Sequence, residues 1–230
     1  MDVQAARDFT AYGASHLGAV LVLALGIVVL LALGRLADPR DRLGKALAIV
    51  LAAAVVPLQA VYFTPGFWDP VRTLPIQLCD LAAVVAVFAL LTHHRWAAAL
   101  TYFWGITLTT QAVITPDLAA NFPDPIFLLF WVVHIGTVWA AVHLTWTRGI
   151  HPDWRSYGIA LAVTAVWAVG VFCLNLALGS NYGYLNAKPG AASALDLLGP
   201  WPWYVAAEVA IIAAVWALMT WPWVRRTPPA

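Results

Sequence analysis

Seven stretches of about 20 residues, almost free of charge and separated by polar or proline-containing breaks that are short except for one, constrain this chain more than any other feature. They cover 16–36, 45–63, 74–92, 96–114, 125–147, 155–178 and 203–224. A helix rising 1.5 Å per residue needs about 20 apolar residues to cross the roughly 30 Å hydrocarbon core of a bilayer. In lipid every backbone N–H and C=O must find its partner within the segment, so such runs read as helices. The expectation is an all-α, polytopic membrane protein: a seven-transmembrane-helix bundle forming one integral membrane domain over 1–230. Composition agrees, since 63% of the residues are hydrophobic and 10% charged, more apolar surface than a water-soluble core uses. The polar stretch 1–15 leads into the first run without a small-residue cleavage pattern, so that run reads as an uncleaved span.

Lysine and arginine orient the bundle. Arg35, Arg40, Arg42, Lys45, Arg95, Arg148, Arg155, Arg225 and Arg226 fall in one set of alternate loops; Arg7, Arg72 and Lys188 fall in the other. The positive-inside rule therefore places the N-terminus outside and the C-terminus in the cytoplasm, as an odd number of spans requires. A formal net charge of +1 offers no basic patch for phosphates, which excludes nucleic acid as a partner. Two cysteines, Cys79 and Cys173, do not make a disulfide framework, although a single bridge between them is one option.

The third run opens with LPIQLCD, residues 74–80, which places Gln77, Cys79 and Asp80 inside a lipid-spanning segment. An acid there costs about 2.5–3.5 kcal/mol on insertion scales and marks a functional position by default. With the assigned orientation these three lie about 5–9 Å from the outer end of the span, and His134 about 13 Å down the fifth. Gln59, Thr107, Thr110, Gln111, Cys173 and Asn175 also fall in outer halves; His16 opens the first span and Glu208 lies two turns into the seventh. The inner halves are almost wholly apolar, with His143 the main exception, while His93, His94 and His151 read as solvated loop residues. The long connection 179–202, rich in Asn, Tyr, Gly and Pro, is expected to be ordered and to cap the outer face.

A thiol and an imidazole at that depth have a clear chemical logic. The thiolate is the nucleophile, and in apolar surroundings it needs a neighbouring base. Amide or hydroxyl donors would stabilise the oxyanion of ester attack, each worth about 3 kcal/mol of barrier. Cys79, His134, Asp80 and Asn175 are the candidate catalytic residues, with Asp80 orienting a histidine and Asn175, Gln111 or Gln77 donating to the oxyanion. His16, Gln77, Gln111, Asn181, Tyr182 and Glu208 are the candidate substrate contacts. A different reading gathers His16, Asp80, His134 and Glu208 around zinc as a metal-dependent lipid hydrolase, although no two histidines share an i, i+4 spacing within a span. A non-enzymatic transporter or lipid-binding protein is the remaining class; transport predicts polar groups continuing through the apolar inner halves.

LPIQLCD at 74–80, YFWG at 102–105, TPD at 115–117, NYGYL at 181–185 with Lys188-Pro189, GPWPWY at 199–204, and Ser15-His16 opening the first span together resemble the YwaF-type bacterial integral membrane proteins. The resemblance covers most of the chain. These bacterial proteins are similar to an animal transmembrane family that acts as a phospholipid acyltransferase through a Cys and a His. The resemblance implies that those roles fall on Cys79 and His134, that the partner is a membrane phospholipid or lysophospholipid, that no cofactor or metal takes part, and that the chain resides in a bacterial plasma membrane.

Overall fold

The computed structural model describes residues 9–34, 36, 40–116, 118–189 and 194–225. Arg7, Arg35 and Arg226 of the charge count, Asp38 and Asp117 lie outside the described residues. Among the described residues there are no strands, and seven helices form: α1 Ala14–Leu33, α2 Arg42–Tyr62, α3 Leu78–Thr92, α4 Arg95–Ile114, α5 Pro125–Thr147, α6 Trp154–Leu178 and α7 Trp203–Arg225. All except α3 are long and apolar enough to cross a membrane. Large apolar side chains such as Leu21 and Val28 on α1 and Val166 and Val169 on α6 lie exposed, the pattern of helices whose solvent is lipid.

The third segment departs from the sequence expectation. A span over 74–92 is expected, but the helix begins at Leu78 and has 15 residues, about 22 Å of rise. Pro75 carries no N–H and biases Leu74 away from helical backbone. The polar groups of this stretch then find partners outside any helix. The Leu74 N–H donates to the Tyr182 hydroxyl at 2.9 Å, and Gln77 Oε1 accepts from the Gly183 N–H at 3.1 Å. The remaining segments begin and end within a few residues of expectation.

The chain folds into two compact units. The first comprises Met1–Val61 and Cys79–Ile150; the second comprises Tyr62–Leu78 and His151–Ala230. In the first unit α5 is the hub, and small residues let its neighbours close on it, the usual device between membrane helices. A Cβ on Gly26 of α1 would sit 2.0 Å from the Trp139 ring, whose Nε1 donates to the Leu23 carbonyl at 3.0 Å. A Cβ on Gly136 would lie a tight 3.1 Å from Leu51 of α2, and one on Gly105 of α4 equally close to Ala141. Asp124 caps α5 by accepting from the Ile126 N–H at 2.7 Å, with Pro125 preorganised at the first helical position. Two stretches widen into π-helix, Trp104–Thr109 in α4 and His143–Thr147 in α5. Such bulges occur often at functional positions.

In the second unit α6 starts at an Asp153 cap and ends at Gly179, whose φ of +67° suits glycine. The connection that follows packs on it through Val171, Tyr182 and Leu185, joined by Trp167, Leu74 and Ile76. Gly183, at φ +66°, passes so close to Trp167 that a Cβ there would lie 2.5 Å from the ring. Its described parts are ordered into short 3-10 turns at Tyr182–Tyr184 and Ala194–Leu198; residues 190–193 of the expected cap lie outside the described residues.

Candidate functional site

Of the expected site, the first unit holds Cys79, Asp80 and His134 with His16 and Gln111. Cys79 and Asp80 sit in the first turn of α3, where the helix N-terminus favours negative charge. Asp80 Oδ1 accepts from Gln59 Nε2 of α2 at 2.8 Å. That bond directs the other amide atom, Gln59 Oε1, into a buried position with no partner. Both cysteines are free thiols, so no bridge joins Cys79 to Cys173.

His134 projects from the middle of α5 and is 6% exposed. Its ring stacks on Phe130 with 4.0 Å between centroids, and Nδ1 lies 2.8 Å from the Phe130 carbonyl. A carbonyl only accepts, so Nδ1 carries the proton and Nε2 is left as the basic nitrogen of the neutral ring. One turn earlier, Trp131 Nε1 is buried without a partner. Among the described residues no hydrogen bond joins His134 to the Cys79 thiol.

His16 has a different situation. Its Nε2 donates to the Val113 carbonyl at 2.9 Å, its Nδ1 accepts from the Tyr12 N–H at 2.8 Å, and the ring packs against Phe9 and Trp131. Both ring nitrogens are occupied, so His16 fastens the start of α1 to the end of α4. Gln111 lies exposed at that end of α4. The hydroxyls of Thr107 and Thr110 bond back to the carbonyls of Phe103 and Gly105, spending themselves on the π-helical stretch.

The second unit holds the other expected residues. Asn175 is 1% exposed and its amide is saturated. Nδ2 donates to the Tyr182 carbonyl and to Asn186 Oδ1; Oδ1 accepts from the Ser180 hydroxyl and the Tyr182 N–H, all within 2.8–2.9 Å. An amide with four bonds has nothing left for an oxyanion, so Asn175 organises the 180–186 loop. Asn181 does the same a step outward, donating to the Ala187 carbonyl and accepting from the N–H groups of Asn186 and Ala187. Tyr182 is buried, with its hydroxyl donating to the Pro70 carbonyl at 3.0 Å. Tyr204 OH donates to the Tyr184 carbonyl. Glu208, half-buried one turn further along α7, makes no hydrogen bond or ion pair among the described residues.

Sequence reasoning missed the most concentrated polar cluster in the first unit. Asp41, 3% exposed, lies just before α2 with its backbone at φ +47°. Its Oδ2 accepts from His93 Nε2 at 2.7 Å and its Oδ1 from His143 Nε2 at 2.9 Å; the Gly44 N–H reaches Oδ1 at 3.3 Å and Arg148 Nε lies 3.9 Å from Oδ2. Burial pushes the Asp41 carboxyl up, but the hydrogen bonds from His93 and His143 and the charges of His143 and Arg148 outweigh it and hold it below the usual carboxylate range. His93, expected to be solvated, is thus tied down, and His143 is its buried counterpart. The available signal was His143 itself, a lone histidine deep in an apolar span, which requires a partner.

Beside this cluster lies a cavity of about 400 Å³, bounded by Leu33, Leu36, Leu43, His143, Thr147 and Arg148 with Asp41 at its wall. Among the described residues no three His, Cys, Asp or Glu side chains are grouped to hold a metal ion, which includes His16, Asp80 and His134 of the expected zinc set.

No curated protein and no solved structure matches the chain. A family comparison does match: residues 11–220 fit the TMEM164 family, a transmembrane family, across nearly all of the described helices. With six helices able to span a bilayer and this match over most of its length, the chain is a membrane-embedded protein that belongs to the TMEM164 family.

Proposed function

We propose that this protein transfers or hydrolyses acyl groups of membrane lipids, with Cys79 as nucleophile and His134 as general base and then acid. The observation that carries the reading is the His134 tautomer. The Phe130 carbonyl holds the proton on Nδ1, which leaves Nε2 free to take one. Further support comes from the free thiol of Cys79 at the head of α3, the Gln59–Asp80 bond beside it, and the buried unpaired atoms Gln59 Oε1 and Trp131 Nε1. Native proteins seldom leave such atoms unpaired unless water or a ligand meets them.

In the proposed cycle the pair closes when lipid binds. His134 Nε2 accepts the Cys79 proton as the sulfur bonds to the ester carbonyl carbon. Collapse of the tetrahedral intermediate breaks the acyl C–O bond, and His134 returns the proton to the leaving oxygen. The thioester then passes its acyl chain to the hydroxyl of a lysophospholipid, or to water, by the reverse sequence. The exposed Gln111 is the remaining amide donor of the first unit for the oxyanion. Asn181 and Tyr182 stay as headgroup candidates through the loop they shape, Asn175 supports that loop, Glu208 stays a candidate on α7, and His16 acts by positioning. Asp80 serves by its charge at the α3 terminus. The chemistry uses no cofactor.

The Lys and Arg distribution and α3 as a short seventh span complete the reading. The N-terminus lies outside, the C-terminus in the cytoplasm, and the membrane is a bacterial plasma membrane. The test is turnover of phospholipid by the purified protein in detergent. Loss of turnover in Cys79→Ala and His134→Gln, with Cys173→Ala active, supports the mechanism. Full activity of Cys79→Ala removes it.

A further inference from the structure

The cavity beside Asp41 is a second polar site in the first unit, and it shares no residue with the proposed chemistry of Cys79 and His134. His93 follows the last residue of α3, whereas Cys79 sits in its first turn, so the 15-residue helix separates them by about 20 Å.

The chemistry of its walls is specific. Asp41 accepts from Nε2 of His143, so the neutral imidazole presents Nδ1 as an acceptor. Among the described residues that Nδ1 is buried without a partner, and the residue is 1% exposed. Thr147 Oγ1, on the same π-helical turn and on the cavity wall, is likewise buried and unpaired. A buried acceptor and a buried hydroxyl left open are costly, at about 1–3 kcal/mol each, unless something meets them. The described lining also carries two guanidiniums, Arg42 and Arg148, against the single carboxylate of Asp41, which favours an anion. Leu33, Leu36 and Leu43 supply an apolar side. The volume of about 400 Å³ falls in the ~300–1,000 Å³ range of small-ligand sites. A ligand that satisfies all of this needs a hydroxyl to donate to His143 Nδ1, an anionic oxygen for Thr147 and Arg148, and an apolar flank.

We infer that this cavity binds a glycerophosphate headgroup, its free hydroxyl on His143 Nδ1 and its phosphate on Thr147 and Arg148. Asp41 and His93 do not touch the ligand. They position His143 by fixing which nitrogen carries the proton. By the charge count this end of the bundle faces the cytoplasm.

Isothermal titration of the purified full chain in neutral detergent tests the inference, using short-chain phosphatidylglycerol, phosphatidylcholine of the same chain length, and free glycerol phosphate. Phosphatidylcholine keeps the phosphate but lacks the free hydroxyl. The expected result is saturable binding of phosphatidylglycerol with phosphatidylcholine about tenfold weaker, the equivalent of one hydrogen bond. Thr147→Val keeps the shape and removes the hydroxyl, and should weaken phosphatidylglycerol by about the same factor. Gly34→Ala, whose Cβ would lie 2.6 Å from the Thr147 side chain, perturbs that hydroxyl from the opposite wall and should weaken binding independently. Cys79→Ala should bind as the parent does. Comparable binding of free glycerol phosphate supports the headgroup chemistry with a soluble source; binding of the lipid alone supports it with a membrane source. Equal affinity for the two lipids, parental affinity in both Thr147→Val and Gly34→Ala, or loss of binding in Cys79→Ala would overturn it.

Discussion

Two histidines nine residues apart on α5 are held in opposite tautomers. His134 donates from Nδ1 to the carbonyl of Phe130 on its own helix; His143 donates from Nε2 to the carboxylate of Asp41, 102 residues away. A neutral carbonyl fixes a proton's position without adding charge, so His134 remains a base with Nε2 open. A carboxylate partner holds the His143 proton on Nε2 and, with His93, ties three segments into one knot. One helix therefore offers one histidine suited to moving a proton and another suited to holding structure and a ligand.

The largest expected effect that separates them is on turnover. His134→Gln should lower lipid turnover by about 10²–10⁴-fold, the usual range for a general base, with little change in thermal stability. His143→Gln should leave turnover within a few-fold and lower stability, which circular dichroism melts would report. Comparable losses of turnover in both would erase the distinction.

Asp41→Asn is next. Removing one partner of a buried charged cluster costs about 3–5 kcal/mol, seen as a lowered melting temperature. The sign of the pH dependence follows from the depressed Asp41 carboxyl. Its stabilisation is fully present above the unfolded carboxylate value of about 3.9 and disappears as pH falls through the lower folded value. Melts of parent and variant should accordingly differ at neutral pH and converge in acid. A gap that persists at low pH would mean the carboxylate is not its source.

Gly26→Ala sets a Cβ against the Trp139 ring between the two histidines. Overpacking of this kind costs about 1–3 kcal/mol, and moving α5 should reduce both turnover and stability. The smallest effect belongs to the other unit. Asn175→Ala opens the 180–186 loop at a cost of about 1–3 kcal/mol shared among four bonds. Faster proteolysis of that loop, with Cys79 labelling intact, is the expected outcome.

The helices were legible because lipid imposes one rule on every residue of a span: apolar outside, hydrogen bonds inside. α5 matches its expected limits, and α6 and α7 come within a residue. Where tertiary partners decide, the linear pattern fails. Pro75 and Gln77 read as the start of a helix, yet Tyr182 and Gly183, over 100 residues on, hold that stretch outside it. Asn175 looked like a catalytic donor because an amide in a span must serve something; what it serves is its own neighbouring loop. His93 looked like a solvated loop residue. Only the fold brings it and His143, 52 and 102 residues away, onto the Asp41 carboxylate.

In the proposed mechanism the Cys79 sulfur carries an acyl group during turnover. Intact-mass spectrometry of the purified protein, quenched in acid seconds after mixing with phospholipid, reads this directly. The account predicts a mass increase of one acyl chain, mapped to Cys79, removed by hydroxylamine and absent in Cys79→Ala. Lipid turnover with no adduct in the parent and undiminished rate in Cys79→Ala would contradict it.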